Sequence, residues 1–292
     1  MDRYILPGDK VFPEGITEGP GTTFFAGSLG DGTIYRGDAA TGGVEVFLPP
    51  DGDGRQAITG IDIDGYGRLI ACDYDGGQLF AYDLDTRLLT ARRKIPATET
   101  WPNDVVVVGD TAYVTDTKNP LIWRLPAGPD GIGEPAVALD LSGFGTADPA
   151  YLNGIVAHPD GTLLLVASQG PGGVLWRVDL TAGTASPVDF GGYEFNADGL
   201  LADGDVLYGV TNRGETRADV VFMVSGARLS PDWRSGTILG ELTDPGWDCP
   251  TTIAKVDGKL LVVCSQLHSM DGDVPPRLPF TVVATDFPAW AA

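Results

Sequence analysis

Asn153-Gly154-Ile155, a turn at Pro159-Asp160-Gly161, the run Leu163-Leu164-Leu165-Val166-Ala167-Ser168 and then Val174-Leu175-Trp176-Arg177 read as strand, turn, strand, strand. The opening triplet places a polar residue before a small or acidic one and an aliphatic one. It recurs as Glu14-Gly15-Ile16, Thr59-Gly60-Ile61, Asn103-Asp104-Val105, Asp198-Gly199-Leu200 and Thr251-Thr252-Ile253. A near-continuous apolar run follows each opening, ending at residues 28, 73, 116, 168, 211 and 265. A recurrence of about 45 residues is the mark of a propeller or other repeat array. Runs apolar at successive positions suit strands buried on both faces.

Third strands recur at Thr33-Ile34-Tyr35-Arg36, Gln78-Leu79-Phe80-Ala81, Leu121-Ile122-Trp123-Arg124, Val220-Val221-Phe222-Met223 and Thr281-Val282-Val283-Ala284. Turn signals such as Asp64-Gly65, Gly109-Asp110, Asp203-Gly204 and Asp257-Gly258 separate first from second strands. Weaker fourth strands fall at 43–48, 88–95, 135–140, 184–190 and 236–242, but the sixth unit has none. The stretch Tyr4-Ile5-Leu6 supplies it and closes a ring. The expected fold is all-β: a six-bladed β-propeller, one domain over residues 1–292.

Composition narrows the function. The chain has 292 residues, 43% hydrophobic, with Gly 41, Pro 22 and a formal charge of −21. So negative a chain excludes nucleic acid and anionic membranes as partners, since both need a cationic face. No apolar run approaches the roughly 20 residues that span a bilayer, and the start Met1-Asp2-Arg3-Tyr4 has no basic leader. The expectation is a cytoplasmic protein, monomeric or weakly self-associating, with a small-molecule substrate. Cys72, Cys249 and Cys264 are too few for a disulfide scaffold and are expected reduced.

In a propeller the first strand of each blade lines the central channel, so the six opening residues converge on one mouth. Glu14, Asn103, Asn153 and Asp198 bring four oxygen donors there, while Thr59 and Thr251 are neutral. Two carboxylates brought together away from water repel unless a cation neutralises them. Hard oxygen donors without Cys or His suit Ca²⁺, with Mg²⁺, Mn²⁺ or Zn²⁺ as alternatives. The competing role for such residues is to cap turns by bonding the backbone.

Candidate pocket residues follow from the same frame: Trp101 and Tyr151 before inner strands, and Tyr74, Lys118, Gln169, Asn212, Arg213 and Gln266 after second strands. Phe195 and Trp247 are expected to add to an aromatic mouth. His268 is the one histidine expected near the mouth, where an imidazole would suit a general base; His158, at the other end of its strand, is expected to be structural. Segments 142–151, 212–219 and 266–279 are placed to act as lids. Asp51-Gly52-Asp53-Gly54 lacks the downstream Glu of a calcium loop and reads as a solvated turn.

Over nearly its whole length the chain resembles the gluconolactonase and senescence-marker-protein (regucalcin) group of six-bladed propellers. Diisopropyl fluorophosphatase and paraoxonase are more distant likenesses. The resemblance rests on Pro13-Glu14-Gly15, Asn103-Asp104, Asn153-Gly154 and Asp198-Gly199. It implies that Glu14, Asn103, Asn153 and Asp198 match divalent-metal ligands, that Asp198 matches the general base, and that the reaction is hydrolysis of a lactone or ester. Sugar-lactone members carry an Arg two residues before the Asn matching Asn103; here that residue is Trp101. An apolar stacking group in place of a charged donor shifts the expected substrate from sugars to more hydrophobic molecules. Isomerisation, cyclisation or a lyase reaction on a hydrophobic secondary metabolite, or binding without catalysis, are the alternatives.

Overall fold

In the computed structural model, residues 2–50, 52–146, 149–170, 172–214, 219–272 and 274–291 are described. Six small antiparallel sheets are arranged in a ring. Their inner strands are Pro13–Glu18, Ile58–Ile63, Pro102–Val108, Leu152–Ala157, Ala197–Asp203 and Pro250–Val256, each packed against the next and the last against the first. Blades one to five run inner to outer in chain order, ending on Val44–Leu48, Leu89–Lys94, Ala136–Asp140, Thr184–Pro187 and Gly236–Leu242. The third blade carries an additional two-residue strand, Gly131–Ile132. The sixth blade takes its outer strand from the N-terminus: Arg3–Leu6 pairs with Phe280–Asp286, from Arg3 opposite Val283 to Leu6 opposite Phe280. The expected closure of the ring is therefore present.

The doubly apolar second strands have a simple cause. Each of the six hydrophobic clusters fills one junction between neighbouring blades, and a second strand feeds two of them alternately. Leu163, Leu165 and Ala167 point into the junction of blades four and five, and Leu164 and Val166 into that of three and four. Leu261 and Val263 serve blades six and one, whereas Leu260 and Val262 serve five and six. Strand alternation thus supplies two cores from one strand. Helix is confined, among the described residues, to the 3-10 turns Ser142–Phe144, Leu267–Ser269 and Ala289–Ala291. No helix is long and apolar enough to cross a membrane.

The six openings are more than strand starts: each is a β-bulge. Pro13 pairs with Ser28 but Ile16 pairs with Ala26, so Glu14 and Gly15 oppose a single residue. The same shift occurs at Ile58/Ile61, Pro102/Val105, Leu152/Ile155, Ala197/Leu200 and Pro250/Ile253. A bulge re-aims the side chains it carries and sharpens the local twist. Its second residue lies against the next blade. A Cβ on Gly15 would sit 2.2 Å from the Thr59 carbonyl oxygen, and one on Gly154 would sit 2.4 Å from that of Asp198. Only glycine permits this approach.

Where the second bulge residue is Asp104, its side chain makes the junction instead, Oδ2 accepting from the Ile155 amide at 3.1 Å. Asp62, one turn of the channel further in, accepts from the Val107 amide at 2.7 Å and the Thr17 hydroxyl at 3.2 Å. Asp62 therefore ties the first three inner strands together, and Asp104 joins the third to the fourth.

Candidate metal and substrate site

The bulges deliver Glu14, Thr59, Asn103, Asn153, Asp198 and Thr251 to one end of the channel. Thr59 and Thr251 are stitches between blades: Thr59 Oγ1 donates to the Pro102 carbonyl at 3.1 Å and Thr251 Oγ1 to the Glu14 carbonyl at 2.9 Å. The other four carry the oxygens. Glu14, Asn103 and Asn153 are buried and Asp198 half-buried.

The amides are oriented. Asn103 Nδ2 donates to Thr117 Oγ1 at 2.9 Å, and that hydroxyl donates in turn to the Leu152 carbonyl at 2.8 Å. Asn153 Nδ2 donates to Gln169 Oε1 at 3.2 Å. With its nitrogen engaged, Asn103 leaves Oδ1 buried without a partner, and Asp198 Oδ1 is buried and unpartnered as well. An unsatisfied buried acceptor costs on the order of 1–3 kcal/mol; two of them beside a second carboxylate need a donor or a cation.

The electrostatics point the same way. Burial, then the charge of Asp198, then that of Asp104 hold the Glu14 carboxyl well above the usual carboxylate range. Burial pushes Asp198 up to about 7 with Asp104 adding to it, against opposing hydrogen bonds from the Gln169 and Asn153 side chains. Burial also raises Asp104 to about 7 and Asp62 to about 6, despite the backbone amides each accepts. The donor set of two carboxylates and two amide oxygens, with two atoms unpartnered, fits a hard divalent cation. No group of three or more His, Cys, Asp or Glu gathers to hold a metal among the described residues.

Two further tiers surround the seat. The residues two before each opening are Phe12, Ala57, Trp101, Tyr151, Asn196 and Cys249. Those one past the register end of each second strand are Leu29, Tyr74, Thr117, Gln169, Asn212 and Ser265. The tiers are joined by a repeated backbone bond, from Leu29 to Phe12, Tyr74 to Ala57, Thr117 to Trp101, Gln169 to Tyr151 and Ser265 to Cys249. Trp101, Tyr151, Tyr74, Gln169 and Asn212 thus fall at equivalent places around the mouth. Tyr74 stacks on Trp101 at 5.6 Å and the Lys118 ammonium lies 4.9 Å from the same indole, so this aromatic group is already engaged. Tyr151 is 39% exposed and holds a left-handed φ of 50°.

Other expected residues are placed differently. The sixth second strand ends in register at Cys264, opposite Pro250, not at 265. Ser265 therefore takes the mouth position, and its buried Oγ has no partner. Gln266, one residue on, bonds the Arg277 backbone instead, Nε2 to the carbonyl at 2.9 Å and Oε1 from the amide at 2.7 Å. In the third blade Thr117, not Lys118, holds that position. Arg213 pairs with Glu241 away from the seat. Phe195 and Trp247 are buried in the junctions on either side of blade five, leaving Asn196 and Cys249 at the mouth. Aligning the second strands by their pairing with the openings would have found Thr117 and Ser265.

His268 Nε2 lies 3.5 Å from Asp248 Oδ1, and the His268 backbone amide bonds the Cys249 thiol. His158 contacts Asp160 at 2.8 Å and meets Trp233 edge-on, a surface arrangement. The three cysteines are free. Asp51, and residues 147–148, 215–218 and 273 of the expected lids, lie outside the described residues.

No protein-family model matches the sequence, and no curated protein matches it. Solved structures do. The chain is similar to a streptogramin B lyase, with 12% identity and a TM-score of 0.66 over 90% of this chain and 94% of that one. A catalytically inactive histidine-to-alanine variant of virginiamycin B lyase from Staphylococcus aureus, with quinupristin, is similar at 15% identity and a TM-score of 0.63, over 89% of this chain and 80% of the other. The calcium-binding protein regucalcin from Agrobacterium tumefaciens is similar at 18% identity and a TM-score of 0.65, over 97% and 92% of the two chains. At such identities the likeness is one of fold.

Proposed function

We propose that the protein is a divalent-cation-dependent hydrolase of a lactone or ester, with Ca²⁺ the favoured ion and a substrate more hydrophobic than a sugar. The observation that carries the reading is the pair of buried, unpartnered oxygens, Asn103 Oδ1 and Asp198 Oδ1, beside the Glu14 carboxylate. Regucalcin, a structural neighbour, is a calcium-binding protein, which agrees with the donor set.

Glu14, Asn103, Asn153 and Asp198 would hold the cation. When bound, it supplies Lewis-acid polarisation of the substrate carbonyl. Glu14 and Asp198 then keep their charge, since a neighbouring positive ion removes the repulsion that raises their pKa. Asp198 accepts the proton of the attacking water, the role implied by the family resemblance. Thr117 and Gln169 hold the two amide oxygens toward the seat. Trp101 braced by Tyr74, with Tyr151 and Asn212, forms the wall against which the substrate lies, in keeping with a mouth short of charged donors.

A second reading is supported by His268 beside Asp248. A histidine oriented by a carboxylate is a suitable base for a lyase or an isomerisation, and the lyase neighbour is inactivated by loss of a histidine. The experiment that tests the first reading is a panel of lactones and esters assayed with Ca²⁺ and after chelation. Turnover that vanishes with chelation and returns with Ca²⁺ supports it. Turnover indifferent to chelation sinks it, and elimination products dependent on His268 move the assignment to a lyase.

A further inference from the structure

A cleft of about 360 Å³ opens between the fifth and sixth blades, lined among others by Arg3, Ile5, Trp247, Asp248, Arg277 and Leu278. It adjoins the mouth in the chain, since Asp248 and Gln266 directly flank the mouth positions Cys249 and Ser265. We propose that this cleft is a binding subsite for an amphipathic anion, a carboxylate on a short apolar body.

In a chain of charge −21, two guanidinium groups line one small cleft. Arg277 is held there by the paired bonds between its backbone and the Gln266 side chain. Its own side chain is 89% exposed and reaches Asp248 only at 3.9 Å. Asp248 also lies 3.5 Å from His268, and at 3.9 Å it is beyond hydrogen-bond reach of Arg277. Arg3 makes no ion pair within 4 Å among the described residues, although the Asp244 carboxylate is near it: a Cβ on Gly246 would meet Arg3 Nη2 at 2.5 Å and Asp244 Oδ1 at 2.8 Å. Trp247 lines the cleft from the junction of blades five and six, where its side chain is buried.

Ile5 and Leu278, 55% and 56% exposed, form the apolar part of a lining that also includes Gln266 and Thr281. Guanidinium groups favour carboxylate through paired charge-assisted bonds, and the aliphatic lip favours a hydrocarbon body. The subsite is independent of the cation seat, because none of its lining residues belongs to that seat.

Calorimetric titration of the full chain with octanoate tests it, with octanol as the uncharged counterpart. Octanoate is expected to bind at least about tenfold more tightly than octanol. Arg277→Ala and Arg3→Ala, both at exposed positions, are each expected to weaken octanoate about tenfold while leaving octanol unchanged. Glu14→Gln, which disables the cation seat, is expected to leave octanoate binding intact. Equal affinity for octanol, arginine variants that bind octanoate like the parent, loss of binding in Glu14→Gln, or no binding at millimolar octanoate would each overturn the proposal.

Discussion

Asn103 presents its oxygen to the channel mouth because Thr117 takes its nitrogen: Nδ2 donates to Oγ1 at 2.9 Å, and the hydroxyl passes its own proton to Leu152 of the next blade at 2.8 Å. A hydroxyl that accepts and donates at once fixes which way the amide faces. Thr117→Val keeps the shape and removes the acceptor. It is expected to weaken Ca²⁺ binding about 10-fold, within the range for groups that orient a metal ligand, while Thr117→Ser retains it. Terbium luminescence titration reads the difference without an assay of turnover.

The two carboxylates have separable effects. Glu14→Gln is expected to abolish measurable Ca²⁺ affinity by calorimetry. Asp198→Asn removes charge but keeps an oxygen, so binding weakens while some is retained. In that variant, saturated with Ca²⁺, the rate on any lactone turned over by the parent should fall by about 10² to 10⁴; full activity there would exclude Asp198 as the base.

Cation binding and pH are linked. Asp198 titrates at about 7 and Glu14 well above its usual range in the cation-free protein. The folded state therefore holds protons that the unfolded chain has already released, and cation-free stability falls as pH rises from about 4 toward 7. Asp104 at about 7 and Asp62 at about 6 add to the same slope. A cation must displace the protons at the seat, so its affinity rises over that window. The Ca²⁺-induced increase in melting temperature should be large at pH 8 and small at pH 5. A shift independent of pH would contradict the arrangement.

Backbone contact at the bulges predicts a sharp steric rule. Gly15→Ala would drive a methyl into the Thr59 carbonyl at 2.2 Å, and overpacking of this kind costs about 1–3 kcal/mol. Gly65→Ala, in a turn with nothing within 4 Å of the added carbon, should change stability by less than about 0.5 kcal/mol. Urea unfolding of the two variants makes the comparison.

The blades were legible because each second strand must feed two junctions, which makes Leu163 to Ala167 apolar throughout, and because that run recurs six times. The closing strand at Tyr4 followed from a missing partner in the sixth unit. Mouth positions were harder. The sixth second strand stops in register at Cys264, and because Cys264 and Ser265 are both small, composition does not mark that end, which misplaced Ser265 and Gln266 by one residue. Aromatic residues before a strand serve core and mouth alike, which is why Trp101 and Tyr151 stand at the mouth while Phe195 and Trp247 do not. Asp62 drew no reading from the sequence, and Asp104 entered only as the partner of Asn103; the neighbouring amides they grip explain their presence in the channel.

The six bulges also divide labour within two adjacent residues. The second of each pair meets the next blade and keeps the ring tight, while the first turns its side chain to the mouth. Change at Glu14, Asn103, Asn153 or Asp198 would therefore alter the mouth one blade at a time, whereas Thr59 and Thr251 also hold neighbouring blades together. The mouth is a six-letter word in which four letters are free and two, Thr59 and Thr251, are also part of the support.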